Sequence, residues 1–412
     1  MVKKFLLSGL LFVMCGLCFA QTAQLQQYIN NGLLNSPLLK EYQNQIALNK
    51  YDSLLIRAAT KPQVAGTSFN SYAPVIKGFG YDGAITNGAN FITLVGVNKS
   101  IPNKKLLAAQ FENLQLQNQE RSNTSKITEQ DLKRTIAAQY ISAYGSLQQL
   151  NFNKEVNALL VKEEPVLKKL TQSNVYKQID YLAFLVTLQQ QELLVKQAAI
   201  QYKNDYATLS YISGISDTAT VDLQDPGIIL NTLSNTSASV FFKQFEIDSL
   251  KLINNKTLVD VSYKPKINLF ADAGYNSSLA FQPYKNFGTS FGISAAIPIY
   301  DGRQKKLQYS KISIAEATRK NYQSFFNTQY QQQIAQLTQQ LNATEDLIKD
   351  INNQLKYTQS LIDVNGKLLE TGEARITDYV LALNNYINAK NLITQNNIVR
   401  MQIINQINYW NR

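Results

Sequence analysis

Two hydrophobic periods divide this sequence into short strands and long helices. Between Phe287 and Ile297, apolar residues alternate with small ones such as Gly288 and Ser290, which is the period of two that a β-strand requires. After an Asp301-Gly302 turn the period changes, because apolar residues then recur at spacings of four and three. This second spacing indicates a helix that buries one stripe of its surface.

The four-three spacing persists for more than four heptads, which is typical of a coiled-coil seam. The seam consists of Tyr330, Ile334, Leu337, Leu341, Thr344, Ile348, Ile351, Leu355, Thr358 and Ile362. A shorter seam in the first half consists of Ile136, Tyr140, Ala143, Leu147 and Leu150. These seams predict helices over 103–171 and 303–371, each about 100 Å long, with a kink at Pro165. Helices of that length predict a rod or a tube.

Four short motifs occur twice, in the same order and with offsets between 196 and 203 residues. They are Thr60-Lys61-Pro62 with Tyr263-Lys264-Pro265, Ser100-Ile101-Pro102 with Ala296-Ile297-Pro298, Lys104-Lys105-Leu106 with Lys305-Lys306-Leu307, and Ile179-Asp180-Tyr181-Leu182 with Thr377-Asp378-Tyr379-Val380. This internal two-fold repetition predicts a first repeat over 21–213, a linker over 214–235 and a second repeat over 236–412.

Each repeat is predicted to contain a helix, a β-hairpin, a long helix and a further helix. We expect the strands at Val64–Tyr72, Phe91–Ser100, Lys266–Tyr275 and Phe287–Ile297. The remaining helices are expected near 22–60, 175–213, 236–262 and 375–410. Strands of about 9–11 residues are long enough to cross a bilayer when they are tilted.

Residues 1–20 are predicted to be a secretory signal peptide. A basic pair, Lys3-Lys4, precedes an apolar run over 5–18. A lipoprotein signal is the alternative, but it needs a small residue directly before a cysteine, and both Cys15 and Cys18 follow a large residue. We therefore favour a cleaved signal without a lipid anchor.

Composition limits the chemistry that is available to the mature chain. The sequence has no histidine, and both of its cysteines fall in the predicted signal peptide. Cys–His nucleophile pairs, histidine-based triads and the usual zinc sites cannot form without these residues. The sequence also shows neither a pocket-like pair of acids nor a phosphate-binding glycine loop. We therefore expect no enzyme activity, no cofactor and no bound metal.

The net charge is +11 for the full sequence and +9 once Lys3 and Lys4 are removed with the signal. The basic residues are scattered rather than clustered, so a mildly basic large surface is favoured over a nucleic-acid or membrane patch. No run of 18 or more apolar residues follows the signal, and no transmembrane helix is expected. Insertion into a membrane would therefore have to use the strands.

Four strands per chain are too few to form a closed membrane structure. Open sheet edges cannot face lipid, because unpaired backbone groups there cost several kcal/mol each, and closed membrane barrels begin at about 8 strands. Three chains would supply twelve strands. The predicted fold class is mainly α with a β-barrel portion: a long α-helical coiled-coil barrel continuous with a 12-stranded membrane β-barrel formed by three chains.

Several segments resemble the TolC family of outer-membrane efflux and secretion channels. Residues 35–50 (NSPLLKEYQNQIALNK) are similar to the first-helix motif of that family. Residues 265–275 (PKINLFADAGY) and 293–306 (ISAAIPIYDGRQKK) are similar to its strand and strand-to-helix motifs, and 371–393 (TGEARITDYVLALNNYINAKNLI) to its gate-region motif. The resemblance extends over essentially all of 22–412.

The resemblance implies a homotrimeric exit duct of the bacterial outer membrane that extends into the periplasm. Such a duct serves a tripartite efflux pump or a type I secretion system. It receives cargo from an inner-membrane pump or transporter through a periplasmic adaptor (membrane fusion protein). Outer-membrane lipid surrounds the duct, which catalyses no reaction and has no nucleic-acid partner.

The resemblance also implies a periplasmic gate, in which acidic side chains narrow the entrance. Asp180 and Asp378 match the gate aspartate of the family motif, and Arg375 and Tyr379 are nearby candidates for restraining links. Three copies of Asp378 around a narrow opening would favour cations. Some relatives have a second acidic residue three positions on, where this chain has Leu381, so a single acidic ring is expected.

The turns between long and short helices are predicted to lie at the far tip, where the resemblance implies contact with the adaptor. These docking residues are Ser173, Asn174, Val175 and Tyr176 in the first repeat and Thr371, Gly372, Glu373 and Ala374 in the second. Simpler roles remain open, because the two aspartates could cap the helices that they begin and the turns could be plain connections.

The competing functional hypothesis is an exported periplasmic coiled-coil structural or adaptor protein without a pore. It accounts for the heptad seam but not for the paired hairpins or their duplication.

Overall fold

The computed structural model describes residues 23–82, 88–217, 219–231, 239–279 and 282–411, so the predicted signal peptide lies outside the described residues. The helices are α1 (Ala23–Asn35), α2 (Pro37–Ala59), α3 (Lys104–Gln172), α4 (Gln178–Ile212), α5 (Val240–Ser262), α6 (Gln304–Thr371) and α7 (Ile376–Trp410). The strands are β1 (Gln63–Tyr72), β2 (Ala89–Ile101), β3 (Lys266–Ser277) and β4 (Phe287–Ala296). The fold is thus mostly helical with one small antiparallel sheet.

The predicted strands and long helices are confirmed. Each of these six elements begins and ends within two residues of its predicted bounds. The first long helix, α3, is not interrupted at Pro165. Elements of this length and regularity are the ones that periodicity identifies best, because many residues contribute to each pattern.

The prediction of one helix over 22–60 is wrong, because the chain breaks between α1 and α2. Ser36 lies outside both helices, and its Oγ accepts a hydrogen bond from the backbone N–H of Leu39 at 3.4 Å. Pro37 is then the first residue of α2. Proline has no N–H to donate, and it is therefore well tolerated in the first turn of a helix but not further along.

The sheet has the order β1-β2-β3-β4, and every neighbouring pair is antiparallel. The hairpin β1–β2 and the hairpin β3–β4 are joined through pairing of β2 with β3, in which Val95 lies opposite Ala273. Strands β1 and β4 are the two edges. On one face β4 exposes large apolar side chains, with Phe291 and Ile293 at 87% and 72% exposure.

Small residues on the other face of β4 make room for an aromatic ring. Phe270 on β3 lies directly opposite Gly292 on β4. A β-carbon at position 292 would lie only 2.6 Å from Cζ of Phe270. The ring therefore occupies the space that a side chain at 292 would need, which explains one of the small positions in the alternating pattern.

The change from strand β4 to helix α6 depends on Asp301. Its Oδ1 accepts a hydrogen bond from the N–H of Arg303 at 2.9 Å, and its Oδ2 accepts one from the N–H of Lys305 at 2.8 Å. These bonds satisfy backbone donors that the start of a helix leaves free. They also hold the pKa of the Asp301 carboxyl below its usual value.

The chain divides into two compact units. The first comprises Met1–Lys40, Ser125–Val240 and Phe325–Arg412, and the second comprises Glu41–Thr124 and Phe241–Ser324. The second unit contains the sheet. Its helices are tied by polar contacts, such as the ion pair between Lys251 and Glu120 at 2.7 Å.

The first unit contains the predicted seams, and both are confirmed as core positions. All five residues of the shorter seam, from Ile136 to Leu150, are at most 6% exposed. All ten residues of the longer seam, from Tyr330 to Ile362, are buried or half-buried. Every helix in the described ranges is either too short or too polar to span a bilayer.

Two glycines in the long helices allow a matched test of this packing. A β-carbon at Gly145 in α3 would lie 2.2 Å from Cδ1 of Ile398 in α7, whereas one at Gly366 in α6 would meet only Tyr379, at an ordinary 3.7 Å. We expect Gly145→Ala to destabilise the protein by about 1 kcal/mol, because strain from overpacking exceeds the gain in helix propensity. Gly366→Ala should stabilise it by about 0.5–1 kcal/mol.

Thermal unfolding followed by circular dichroism measures both changes. Equal stability of the two variants would contradict the close approach of α3 to α7.

Candidate functional site: the paired helix turns

The turn between α3 and α4 ends the first long helix through a left-handed residue. Asn174 has a φ of +58°. The N–H of Val175 donates to the carbonyl of Leu170 at 2.9 Å, and the N–H of Asn174 donates to that of Thr171 at 3.1 Å. This pair of bonds is a Schellman motif, which satisfies carbonyls that the helix end leaves free.

The turn between α6 and α7 has the same backbone arrangement 198 residues later. Gly372 has a φ of +81°. The N–H of Glu373 donates to the carbonyl of Leu368 at 2.8 Å, and the N–H of Gly372 donates to that of Leu369 at 3.2 Å. Glycine adopts this conformation without the steric cost of a β-carbon.

The helices that follow the two turns also begin alike. Each starts after an extended residue, Lys177 with φ −76° and ψ 144°, and Arg375 with φ −76° and ψ 145°. Asp180 and Asp378 lie three residues further on, in the first turn of each helix. They do not occupy the N-cap position that the simpler capping role requires. A carboxylate in the first turn still interacts favourably with the helix dipole.

The two turns contact each other through Tyr176. Its hydroxyl lies 2.8 Å from the carbonyl oxygen of Leu369 and 2.9 Å from that of Ala374, which flank the second turn. Burial raises the pKa of Tyr176, so the hydroxyl stays protonated and donates. Val175 lies beside Gly372, where an added β-carbon would be 2.8 Å from Val175 Cγ1. We call these five residues the turn clamp.

Arg375 and Asp378 form a local ion pair at the start of α7. Nε of Arg375 lies 3.1 Å from Oδ2 of Asp378, and Nη2 lies 3.2 Å from Oδ1. The side chains are 82% and 43% exposed, and a pair this exposed contributes only about 0.2–1 kcal/mol. Among the ion pairs of the described residues, Lys177 and Asp180 do not form a counterpart.

Tyr379 lies in the core between the helices rather than at the surface. It is 2% exposed and belongs to a cluster that includes Leu369 and Phe184. Burial raises the pKa of Tyr379 to about 12. At the equivalent place in α4, Tyr181 is only half-buried and donates its hydroxyl hydrogen to Glu164 at 2.5 Å. A role for Tyr379 as a restraining link remains a prediction.

The other predicted docking residues lie at or near the surface of the turns. Ser173, Asn174, Thr371 and Glu373 are exposed, as is Val175, while Tyr176, Gly372 and Ala374 are half-buried. The three half-buried residues all belong to the turn clamp. The structure therefore gives Tyr176 an intrachain contact, while adaptor docking by the exposed positions remains a prediction.

The sequence interpretation missed an acidic residue close to these turns. Glu163 in α3 is 5% exposed. It lies on the same helical stripe as Val156, Leu160 and Leu167, which belong to the core cluster. The spacing of these positions is the four-three spacing of the seam, so a carboxylate within that pattern was a signal available in the sequence.

In the described ranges, no group of three acidic side chains gathers closely enough to hold an ion.

Comparison with solved structures shows the class of fold. The chain superposes with a TM-score of 0.75 on CusC, a protein that forms a transmembrane channel, at 13% sequence identity over 94% of this chain and 92% of CusC. VceC, an outer-membrane protein of Vibrio cholerae, matches with a TM-score of 0.73 at 12% identity, over 94% of this chain and 96% of VceC.

The open state of MtrE, an outer-membrane channel of Neisseria gonorrhoeae, matches with a TM-score of 0.73 at 12% identity, over 94% of this chain and 88% of MtrE. No protein-family model and no curated protein matches the sequence. The chain therefore has the fold of these outer-membrane channels, as the resemblance to the TolC family implied.

The turn clamp gives a direct prediction. Tyr176→Phe removes the hydroxyl that reaches the carbonyls of Leu369 and Ala374, and should weaken the contact between the turns by about 1 kcal/mol. Backbone amides of 372–376 should then exchange with deuterium several-fold faster, as measured by mass spectrometry. Tyr181→Phe is the matched control, because its hydroxyl bonds within the first repeat, and it should leave 372–376 unchanged.

Proposed function

We propose that this protein is a trimeric outer-membrane exit duct that passes cargo from an inner-membrane transporter to the outside. Its partners would be a periplasmic adaptor and the pump or transporter of a tripartite efflux or type I secretion system. The observation that carries the proposal is the fold itself, which matches outer-membrane channels over 94% of the chain. Such a duct needs no catalytic residue.

The edges of the sheet support a shared barrel. Strands β1 and β4 each have one unpaired side within the chain, and unpaired backbone groups in lipid cost several kcal/mol each. Pairing of β4 with β1 of a second copy satisfies both edges. Three copies give twelve strands, which is within the range of closed membrane barrels, and the exposed apolar face of β4 would then meet outer-membrane lipid.

The paired helix turns supply the elements of a periplasmic gate. Asp378 of three chains would form an acidic ring that favours cations at a narrow opening, with Asp180 contributing from the equivalent turn. Arg375 partly neutralises Asp378 in the present arrangement, since both side chains meet at 3.1 Å.

Opening of the gate would separate α6 and α7 from α3 and α4 at their ends. The turn clamp resists that separation more than the Arg375–Asp378 pair does. The clamp joins the two turns and includes a half-buried hydrogen bond worth about 1 kcal/mol, whereas the exposed ion pair joins residues three positions apart at the start of α7. Tyr176 is therefore proposed as a restraint on the gate, and the exposed turn residues as the surface for the adaptor.

Conductance of single channels in a planar bilayer tests the duct and its gate. We expect purified wild-type protein to give discrete openings that prefer potassium over chloride. Asp378→Asn should reduce that preference, because it removes one negative charge per chain from the constriction. Asp52→Asn removes the same charge from α2, far along the chain from the turns, and should leave selectivity unchanged.

The outcomes separate the two parts of the proposal. If Asp378→Asn gives openings with unaltered selectivity, the proposal of a duct stands, but Asp378 does not lie in its constriction. A folded sample that never inserts would favour the coiled-coil structural protein without a pore.

The oligomeric state is an independent test. Native mass spectrometry of the detergent-extracted protein should show three chains. A charged substitution in the edge strand, Thr289→Lys, should shift the protein toward monomer, because it places an ammonium group on the apolar face of β4. A monomeric wild type would contradict the shared barrel.

A further inference from the structure

The buried carboxylate of Glu163 has an unusual environment for an acidic residue. Its side chain occupies a core position of α3, and its Oε2 is buried without a hydrogen-bond partner. Its Oε1 lies 3.5 Å from Nζ of Lys162, which is also 3.7 Å from Oε1 of Glu370 in α6. The Lys162 side chain is 71% exposed, so it neutralises the buried charge only weakly.

We propose that Glu163 is a proton-binding site, and that its ionisation loosens the packing of α3 against α6 and α7. Protonated, the side chain is neutral and fits the apolar stripe of α3 on which it lies. Ionised, it places a poorly compensated charge on the stripe of Val156, Leu160 and Leu167, core side chains that carry no group able to stabilise it.

The charged and titratable neighbours of Glu163 come from each element packed around it. Lys162 lies on α3 itself and Glu370 on α6. On α7, the charge of Glu163 contributes to the raised pKa of Tyr379. On α4, Tyr181 bonds the adjacent Glu164 instead. Within this group Lys162 is the single cation facing two carboxylates.

Protonation and packing are linked in a definite direction. Burial raises the pKa of Glu163 above its ordinary value of 4.5, Lys162 lowers it, and Glu370 raises it again, with a net upward shift. The packed form therefore binds a proton more tightly than the loosened form. Packing is most stable below pH 4.5 and loses stability as the pH rises through the raised pKa.

Glu163 lies where a small change in packing would affect the candidate gate at Asp378. Tyr379, whose pKa is raised mainly by burial and in part by the charge of Glu163, follows Asp378 directly and belongs to the core cluster that also contains Leu160 and Leu167 of α3. Loosening of this cluster would free the start of α7. The link to gating rests on the proposed function, whereas the proton site itself does not.

Thermal unfolding of the full chain in detergent, between pH 5 and 8, tests the proton site. We expect the Tm of the wild type to fall with rising pH, and Glu163→Gln to flatten that slope and raise the Tm at pH 8. Glu155→Gln, an exposed glutamate of the same helix, is the matched control and should keep the wild-type slope. Asp248 also has a raised pKa, so the readout is the difference in slope between variants.

Identical slopes for Glu163→Gln and the wild type would overturn the proposal. Lys162→Met gives a second, surface variant in case Glu163→Gln does not fold. It removes the cation that favours ionisation, so the pKa of Glu163 in the packed form should rise further, and the fall in Tm should be larger and extend to a higher pH. A fall in Tm of the same size and over the same pH range as in the wild type would also overturn the proposal.

Conductance at pH 5.5 and pH 8 then tests the link to gating. Wild-type channels should be open more often at pH 8, and Glu163→Gln should abolish the difference. If the Tm slopes differ as expected but no channel forms, the proton site stands and the duct fails. If channels form and the Tm slopes coincide, the duct stands and the proton site fails.

Discussion

Burial of a continuous four-three seam is the constraint on which the first unit depends. A long helix rich in glutamine, asparagine and threonine gains little from propensity alone, because helical stability in proteins comes mainly from packing of one apolar face. In α6 that face runs from Tyr330 to Ile362, and its members are buried or half-buried throughout. The seam fixes the rotation of the helix about its axis, and thereby sets the direction in which its last turn meets the neighbouring chain segments.

That fixed rotation explains how two turns far apart in sequence come into register. Both long helices end in the same Schellman motif, with a left-handed residue at Asn174 and at Gly372. Because the backbones are alike, the functional differences reside in the side chains placed on them. Tyr176 reaches across to the other turn, whereas the equivalent residue, Ala374, presents only its carbonyl.

The sequence predicted the elements well and the contacts between them poorly. The boundaries of long helical seams and alternating strands can be predicted, because many residues in each element follow one hydrophobic period and the element ends where that period ends. The break at Ser36 escaped detection because the apolar pattern continues through it, and only the serine–proline pair marks the helix start. The hydrogen bonds of Tyr176 join residues 193 and 198 positions apart, and no local pattern contains that information. Arg375 and Asp378 are close in sequence, yet the side-chain rotamers that let them pair depend on the folded turn and cannot be read from the sequence.

Glu163 places a carboxylate at a position where the four-three spacing of α3 predicts an apolar side chain. Leucine or methionine at that position would continue the stripe of Val156, Leu160 and Leu167 and would leave no buried acceptor without a partner. Replacing a buried charge by an apolar side chain of similar volume is commonly neutral or stabilising. Tight packing alone therefore does not account for a carboxylate here. A cluster whose stability must change with conditions does account for it, because a group that binds a proton in the packed state makes that stability depend on pH.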